Sequence, residues 1–306
     1  MQDRENIMYE LHLHIDGSIR RSTFFELAKK NNIIVPNDFG FRKGMNLREA
    51  LSMFEKTISV MKQMDIITRI TSEICDDVRG GGVIYAELRY APQLHSDNID
   101  EVVKAAIAGL KHNFKLILCG LYGQNPKVIE GLVEVAKKYK DVVGIDIAGA
   151  PRVTDKWGLH HYINAYQEAK KYNIGRTIHV SEGRSPQEII DAILLLDAQR
   201  LGHACTLLED EGAVELVKDK RVVIEACPTS NVHTGIYQSI SEHPIKKWIE
   251  NKISVAVCAD NTLMSNVTTG QEMSNVRKYC KLTSQQISWC YNSATIGRFN
   301  EKRITR

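Results

Sequence analysis

Two histidines separated by one residue, His12 and His14, stand near the start of the chain in Tyr9-Glu10-Leu11-His12-Leu13-His14-Ile15-Asp16-Gly17-Ser18. On a β-strand alternate side chains share a face, so the two imidazoles would lie side by side with Leu13 and Ile15 opposite. Neutral imidazole is a ready ligand for zinc and related metals. An isolated H-x-H is equally a polar pair on a solvent-facing side, and residues further along must decide. They arrive at regular places: His179 after Arg176-Thr177-Ile178, Glu182 three residues on, His203 after Arg200-Leu201-Gly202, and Asp260 after Val255-Ala256-Val257-Cys258-Ala259. Any one of these alone reads as a satisfied core residue or a helix cap. Together, at the ends of apolar runs, they point to a metal-assisted or acid–base site.

The elements that must position them alternate. After the opening strand, Phe24, Leu27 and Ala28 recur at helical spacing, and Pro36 to Gly44 reads as a loop. Leu47, Leu51, Phe54, Ile58 and Met61 then mark an amphipathic helix, and another runs to Val78 before Gly80-Gly81-Gly82. Seven more strands follow: Val83–Tyr90, Lys115–Cys119, Val142–Gly149, Arg176–Val180, Arg200–His203, Arg221–Cys227 and Ile253–Ala259. Helical segments separate nearly all of them. Ser185-Pro186-Gln187-Glu188 has the pattern of a capping box, as do Thr283 and Gln286. Eight strands in this alternation predict a (β/α)8 TIM barrel of α/β class, with extra helices between strands 1 and 2. An open doubly wound sheet is the rival. It is disfavoured by the lack of a G-x-G-x-x-G or P-loop sequence. The expectation is one domain over residues 1–306.

At 306 residues and 43% hydrophobic content, a large core is within reach without staples. Lys+Arg number 40 against Asp+Glu 37, which gives no electrostatic case for nucleic acid or an anionic membrane as partner. Seven cysteines are scattered, with no C-x-x-C pair, which suits a reducing compartment. The charged opening residues Met1-Gln2-Asp3-Arg4-Glu5-Asn6 lack an apolar core, and no long apolar run occurs, so a cytoplasmic protein is expected. Arg298, Lys302, Arg303 and Arg306 read as a solvated tail.

The ordered series H-L-H-I-D-G-S, R-T-I-H-V-S-E, R-L-G-H-A, C-P-T-S-N and A-D-N resembles the adenosine deaminase family of the amidohydrolase superfamily. Glu87-Leu88-Arg89-Tyr90-Ala91-Pro92 and Gly144-Ile145-Asp146-Ile147-Ala148-Gly149 extend the likeness over nearly the whole chain. The resemblance implies one zinc ion per subunit, held by His12, His14, His179 and Asp260. It implies catalytic roles for Glu182, His203 and Asp260. His203 and Asp260 would orient a water whose pKa zinc lowers, and Glu182, kept protonated by an enclosed site, would give its proton to purine N1. His14 and Asp16 would meet the ribose 5′-hydroxyl, Gly149 would donate its N–H to purine N3, and Asn261 would address N7. Leu47, Leu51 and Phe54 fall where the family has an apolar gate, with core packing as the competing reading. The expected substrate is a small purine nucleoside, adenosine or 2′-deoxyadenosine, yielding inosine or deoxyinosine and ammonia in purine salvage.

Two positions depart from the family pattern. Asn261 stands where aspartate is common, and Ala150-Pro151 replaces an acidic pair. An amide donates a hydrogen bond at any pH, so Asn261 is compatible with reading N7. Rival expectations on the same barrel are a deaminase of adenine, an adenine nucleotide or a modified adenosine. A catalytically silent binding protein would have lost a ligand or Glu182. A metal phosphohydrolase would need basic residues at the strand ends. His95, just past strand 2, lies near enough in sequence to edge the site.

Overall fold

The strand-like runs of the chain become eight parallel strands, β1 (Met8–His14), β2 (Val83–Tyr90), β3 (Lys115–Leu121), β4 (Val142–Ala148), β5 (Gly175–Val180), β6 (Arg200–His203), β7 (Val223–Ala226) and β8 (Ser254–Val257). Each pairs with the next in sequence order, in a computed structural model that describes residues 7–299. The ring is drawn together just past the last strand, where His14 N donates to Asp260 O at 2.8 Å and Asp260 N to His12 O at 2.9 Å. This is the (β/α)8 TIM barrel expected from the alternation. The opening residues Met1 to Asn6 and the basic residues Lys302, Arg303 and Arg306 lie outside the described residues. Arg298 is described, and it is not a free tail residue: its guanidinium lies over the rings of Tyr9 and Tyr85, at 5.6 and 5.8 Å.

Three helices fill the first connection: α1 (Arg21–Lys30), α2 (Leu47–Val60) and α3 (Met64–Gly80). Asn46 starts α2 with a reciprocal capping box, its Oδ1 accepting from Glu49 N while Glu49 Oε2 accepts from Asn46 N, both at 3.0 Å. The remaining helices are α4 (Ile99–Gly109), α5 (Pro126–Lys138), α6 (Ile163–Lys171), α7 (Gln187–Leu196), α8 (Glu211–Asp219), α9 (Pro228–His233), α10 (Ile245–Glu250), α11 (Thr262–Ser265), α12 (Thr269–Tyr279) and α13 (Ser284–Gly297). Strands β7 and β8 are shorter than their apolar runs, because the chain leaves the sheet early to enter the site. Helices α9, α11 and α12 carry no clear apolar period and are additions to the sequence reading.

The capping box expected at Ser185 does not form. Ser185 Oγ accepts from Gln187 N at 3.2 Å, but the Glu188 carboxylate turns away to Ser181 N and Arg184 Nε, each at 2.7 Å. The one at Thr283 and Gln286 does form. All seven cysteines are buried and unpaired. At the N-terminal end of the barrel, the Phe299 ring lies on the glycine pair Gly144 and Gly175, under the Arg200 guanidinium at 3.9 Å. A Cβ on Gly175 would come within 2.2 Å of that ring, so the plug depends on glycine there. No helix among the described residues is long and apolar enough to cross a membrane.

Candidate active site

Four strand ends deliver polar side chains to the C-terminal mouth of the barrel, where such folds place their sites. His12 and His14 come from β1, while Leu13 between them and Ile15 just past the strand enter the apolar core instead. His179 comes from β5, with Glu182 beyond it, His203 ends β6, and Asp260 follows β8. The backbone is left-handed at Ser181 (φ 51°), His203 (63°), Ala204 (50°) and Asp260 (63°). Non-glycine residues adopt that conformation at a cost, so a surrounding structure must hold them there.

The histidines and Asp260 converge. His14 Nε2 lies 3.0 Å from His179 Nε2, and Asp260 Oδ1 lies 3.5 Å from His12 Nε2 and 3.6 Å from His14 Nε2. His12 Nδ1 faces Glu225 Oε2 at 2.7 Å, and His179 Nδ1 faces Asp146 Oδ1 at 3.1 Å. A carboxylate only accepts, so each Nδ1 carries the proton and each Nε2 keeps its lone pair. His12 Nε2 is buried and has no hydrogen-bond partner. Burial favours the neutral form of His14 and His179, moving both below the usual imidazole range. Lone pairs and a carboxylate aimed at one another repel unless a cation sits between them, so this donor set fits a divalent metal ion. Burial works against the charge of Asp260, yet the neighbouring His12, His14 and His203 rings hold its carboxyl far below the ordinary range.

Behind the histidines lies a buried ionic layer that the sequence reading missed. Arg89 Nη1 donates to Asp146 at 3.0 Å and Arg89 Nη2 to Glu225 at 2.8 Å; Arg200 joins Glu225 and Glu87 at 2.6 and 2.5 Å. Glu10 Oε1 accepts from His12 N at 2.7 Å, and its Oε2 from Ala259 N at 2.9 Å, tying β1 to the segment that carries Asp260. The available signal was a charge inside an apolar strand, as in Ile145-Asp146-Ile147 and Val223-Ile224-Glu225-Ala226.

A cavity of about 50 Å³ lies over this cluster, lined by His14, His179, Glu182, His203, Asp260 and Asn261, with Gly149 at its edge. Glu182 is buried, and that burial lifts its carboxyl to about 8, against the lowering effect of Arg184. Its Oε1 stands 4.0 Å from His203 Nε2. Leu47, Leu51 and Phe54 cap the cavity while remaining half-exposed, so they line the mouth and are not ordinary core. Phe54 meets the His14 ring edge-on at 6.3 Å. Asp16 lies behind His14, 3.9 Å from its Nδ1, and its buried Oδ1 has no hydrogen-bond partner. His95 does not edge the cavity: its Nδ1 donates to Met61 O at 3.0 Å, under the end of α2. Asn231, also missed, lies 3.1 Å from His203 Nδ1 through its Nδ2.

A family model described as adenosine deaminase matches residues 8–302. An adenosine deaminase of Clostridium botulinum (strain 657 / Type Ba4) is 32% identical over 97% of this chain and 95% of its own. One from Clostridium kluyveri is 34% identical over 88% of this chain and 83% of its own. Among solved structures, the N6-methyl-AMP deaminase of Arabidopsis thaliana superposes with a TM-score of 0.83 at 27% identity, covering 96% of this chain and 92% of that one. An adenine deaminase from Arthrobacter aurescens superposes with a TM-score of 0.86, over 96% and 94% of the two chains; at 20% identity it bears on the fold alone.

Proposed function

The chain belongs to the adenosine deaminase family of hydrolytic deaminases, and we propose that it converts adenosine and 2′-deoxyadenosine to inosine and deoxyinosine, releasing ammonia, within one catalytic domain. The observation that carries this reading is the convergence of His12, His14, His179 and Asp260 beneath Glu182 and His203 in one cavity. His12, His14, His179 and Asp260 would hold one zinc ion. Zinc supplies Lewis acidity, which makes a water a competent nucleophile near neutral pH. The buried, unpaired cysteines support an enzyme of the reducing cytoplasm.

The residues divide the remaining work. His203 and Asp260 orient the attacking water, whose oxygen forms a bond to C6 of the purine. The C6=N1 electron pair moves to N1, which takes the proton held on Glu182. Burial keeps that proton in place at neutral pH. The proton lost by the attacking water passes to the amino group, the tetrahedral C6 expels that group as ammonia, and the remaining hydroxyl proton returns to the Glu182 carboxylate as the C6 oxygen becomes the carbonyl of inosine. Asn261 and Gly149 line the cavity where N7 and N3 of the purine are read.

Substrate choice falls to Asp16 and to what the cavity lacks. The unpartnered Asp16 Oδ1 awaits a donor, which the ribose 5′-hydroxyl provides and a 5′-phosphate does not. No lysine or arginine lines the cavity among the described residues. Burial pushes the Asp16 carboxyl up to about 7, so it is part ionised at neutral pH; a nucleotide meets that acid with no basic residue in the cavity lining, and free adenine leaves Asp16 unsatisfied. The test is to purify the protein, measure bound metal, and follow the ultraviolet change with adenosine, deoxyadenosine, AMP and adenine in parallel. One zinc per chain and turnover of the two nucleosides are expected. No turnover of any of the four with zinc loaded would overturn the deaminase reading; preference for AMP would overturn the role of Asp16.

A further inference from the structure

We propose that Asn231 is a positioning residue that fixes the tautomer of His203, keeping its proton on Nε2, so that His203 serves the reaction as a hydrogen-bond donor and not as a proton acceptor. The catalytic consequence rests on the deaminase reading; the tautomer itself does not.

Four histidine rings crowd the site, those of His12 and His179 lying 5.0 and 5.3 Å from that of His203. The groups facing the Nδ1 atoms of these three sort them into two kinds. Carboxylates, Glu225 and Asp146, face Nδ1 of His12 and His179, which puts the proton there and frees Nε2 to bind a cation. His203 Nδ1 instead faces the amide nitrogen of Asn231 at 3.1 Å. An amide N–H₂ can only donate, so Nδ1 must accept and the ring proton must sit on Nε2. That leaves Nε2–H facing the Glu182 Oε1, 4.0 Å away, and close to Asp260, an arrangement of one donor among acceptors. Asn231 is fully buried, its Oδ1 has no hydrogen-bond partner in this pose, and the His203 ring is the group its amide nitrogen meets.

The surroundings hold Asn231 in this pose. It lies on α9, its backbone N donating to Cys227 O and its carbonyl accepting from Ile236 N, both at 3.0 Å. The first turn of α9 is clamped by buried Glu272, which accepts from both Thr229 N and Thr229 Oγ1. On the other side, His203 has a left-handed backbone, which sets where its ring enters the cavity. A ring that carries its proton on Nε2 cannot take one from the water. The proton released as the water attacks C6 then passes to the Asp260 carboxylate, and His203 steadies the oxygen by donation.

The test is ¹⁵N spectroscopy of histidine-labelled, metal-loaded protein, with the His203 signals assigned by their loss in His203→Gln. The wild type is expected to show a protonated, pyrrole-type Nε2 and a bare, pyridine-type Nδ1. In Asn231→Asp, of nearly identical shape, a carboxylate faces Nδ1, and the two signal types should exchange. Metal content and KM should stay near wild type while kcat falls about 100-fold or more, the usual cost of losing one aimed donor. A wild-type ring protonated on Nδ1 overturns the proposal, as does a pattern unchanged in Asn231→Asp. An exchanged tautomer with unchanged kcat overturns its catalytic consequence. If Asn231→Asp fails to fold, the wild-type spectrum alone decides the tautomer. Absent turnover with the expected wild-type spectrum would sink the deaminase reading and leave the tautomer standing.

Discussion

Glu182 shows how an ordinary side chain acquires a task from its surroundings. A free glutamate is ionised at neutral pH and has no proton to give. Here burial raises its carboxyl to about 8, so the neutral acid is the resting form at pH 7. The active form is the protonated one, so kcat/KM should fall as pH rises through about 8, and a pH–rate profile with adenosine checks it. Glu182→Gln should keep its metal, measured by elemental analysis, yet lose roughly 10²- to 10⁴-fold in kcat, the range typical of a positioned proton donor. Unchanged turnover in that variant would remove Glu182 from the acid role. Position 261 is a second case. Asn261 lines the cavity, and its buried Oδ1 occupies the space a side chain on Gly17 would need, only 1.8 Å from that Cβ position. Gly17 is thus required by its neighbour and not by its own backbone angles.

At the scale of the element, α2 decides what enters. Its capping box and its 4-3-4-3 apolar spacing make it a stable helix, and the half-exposed Leu47, Leu51 and Phe54 of its stripe turn to the cavity, Phe54 also packing against the core. The half-open space of about 50 Å³ is below the roughly 300 Å³ at which small-molecule pockets begin. A bound nucleoside is expected to displace the Leu47, Leu51 and Phe54 side chains that line it. The far end of the helix is tied down, by His95 to Met61 O at 3.0 Å and by Lys62 to Leu94 O at 2.6 Å. Phe54→Ala removes apolar surface from the lid while leaving the cluster below intact. We expect KM for adenosine to rise about 10-fold or more, in line with the ~1.5–3 kcal/mol of a buried aromatic, with a smaller effect on kcat. Steady-state kinetics separates the two; a loss confined to kcat would count against the lid role.

For the whole molecule, the ionic layer inside the barrel links fold to site. Arg89 bridges Asp146 and Glu225, which in turn hold His179 and His12. Burial opposes the charge on both acids, but Arg89 and its neighbours keep each carboxyl well below its usual range. Arg89→Met would leave two buried carboxylates without their shared cation. Breaking such a network typically costs about 3–5 kcal/mol. Thermal unfolding should report that loss, and metal content should drop with it, because both histidines lose their orientation. A variant of wild-type stability with full metal would show that the layer is dispensable.

The order of elements and the strand-end residues were written in the chain itself. Alternating strand and helix periods, and His12, His14, His179, His203 and Asp260 at the ends of apolar runs, arise from local backbone geometry, which a sequence displays directly. Only the tertiary structure decided what surrounds them. Arg89 finds Asp146 57 residues away and Glu225 136 residues away, pairings that barrel closure creates and no local period foretells. Glu188 abandons the expected cap because Ser181 N and Arg184 offer it stronger partners across a turn. Asn231 sits in a segment with no apolar pattern, and its meaning appears only when α9 folds beside β6 and sets an amide against His203. A proton's place on an imidazole ring depends on one contact between a helix and a strand distant in sequence, and that contact exists only in the folded barrel.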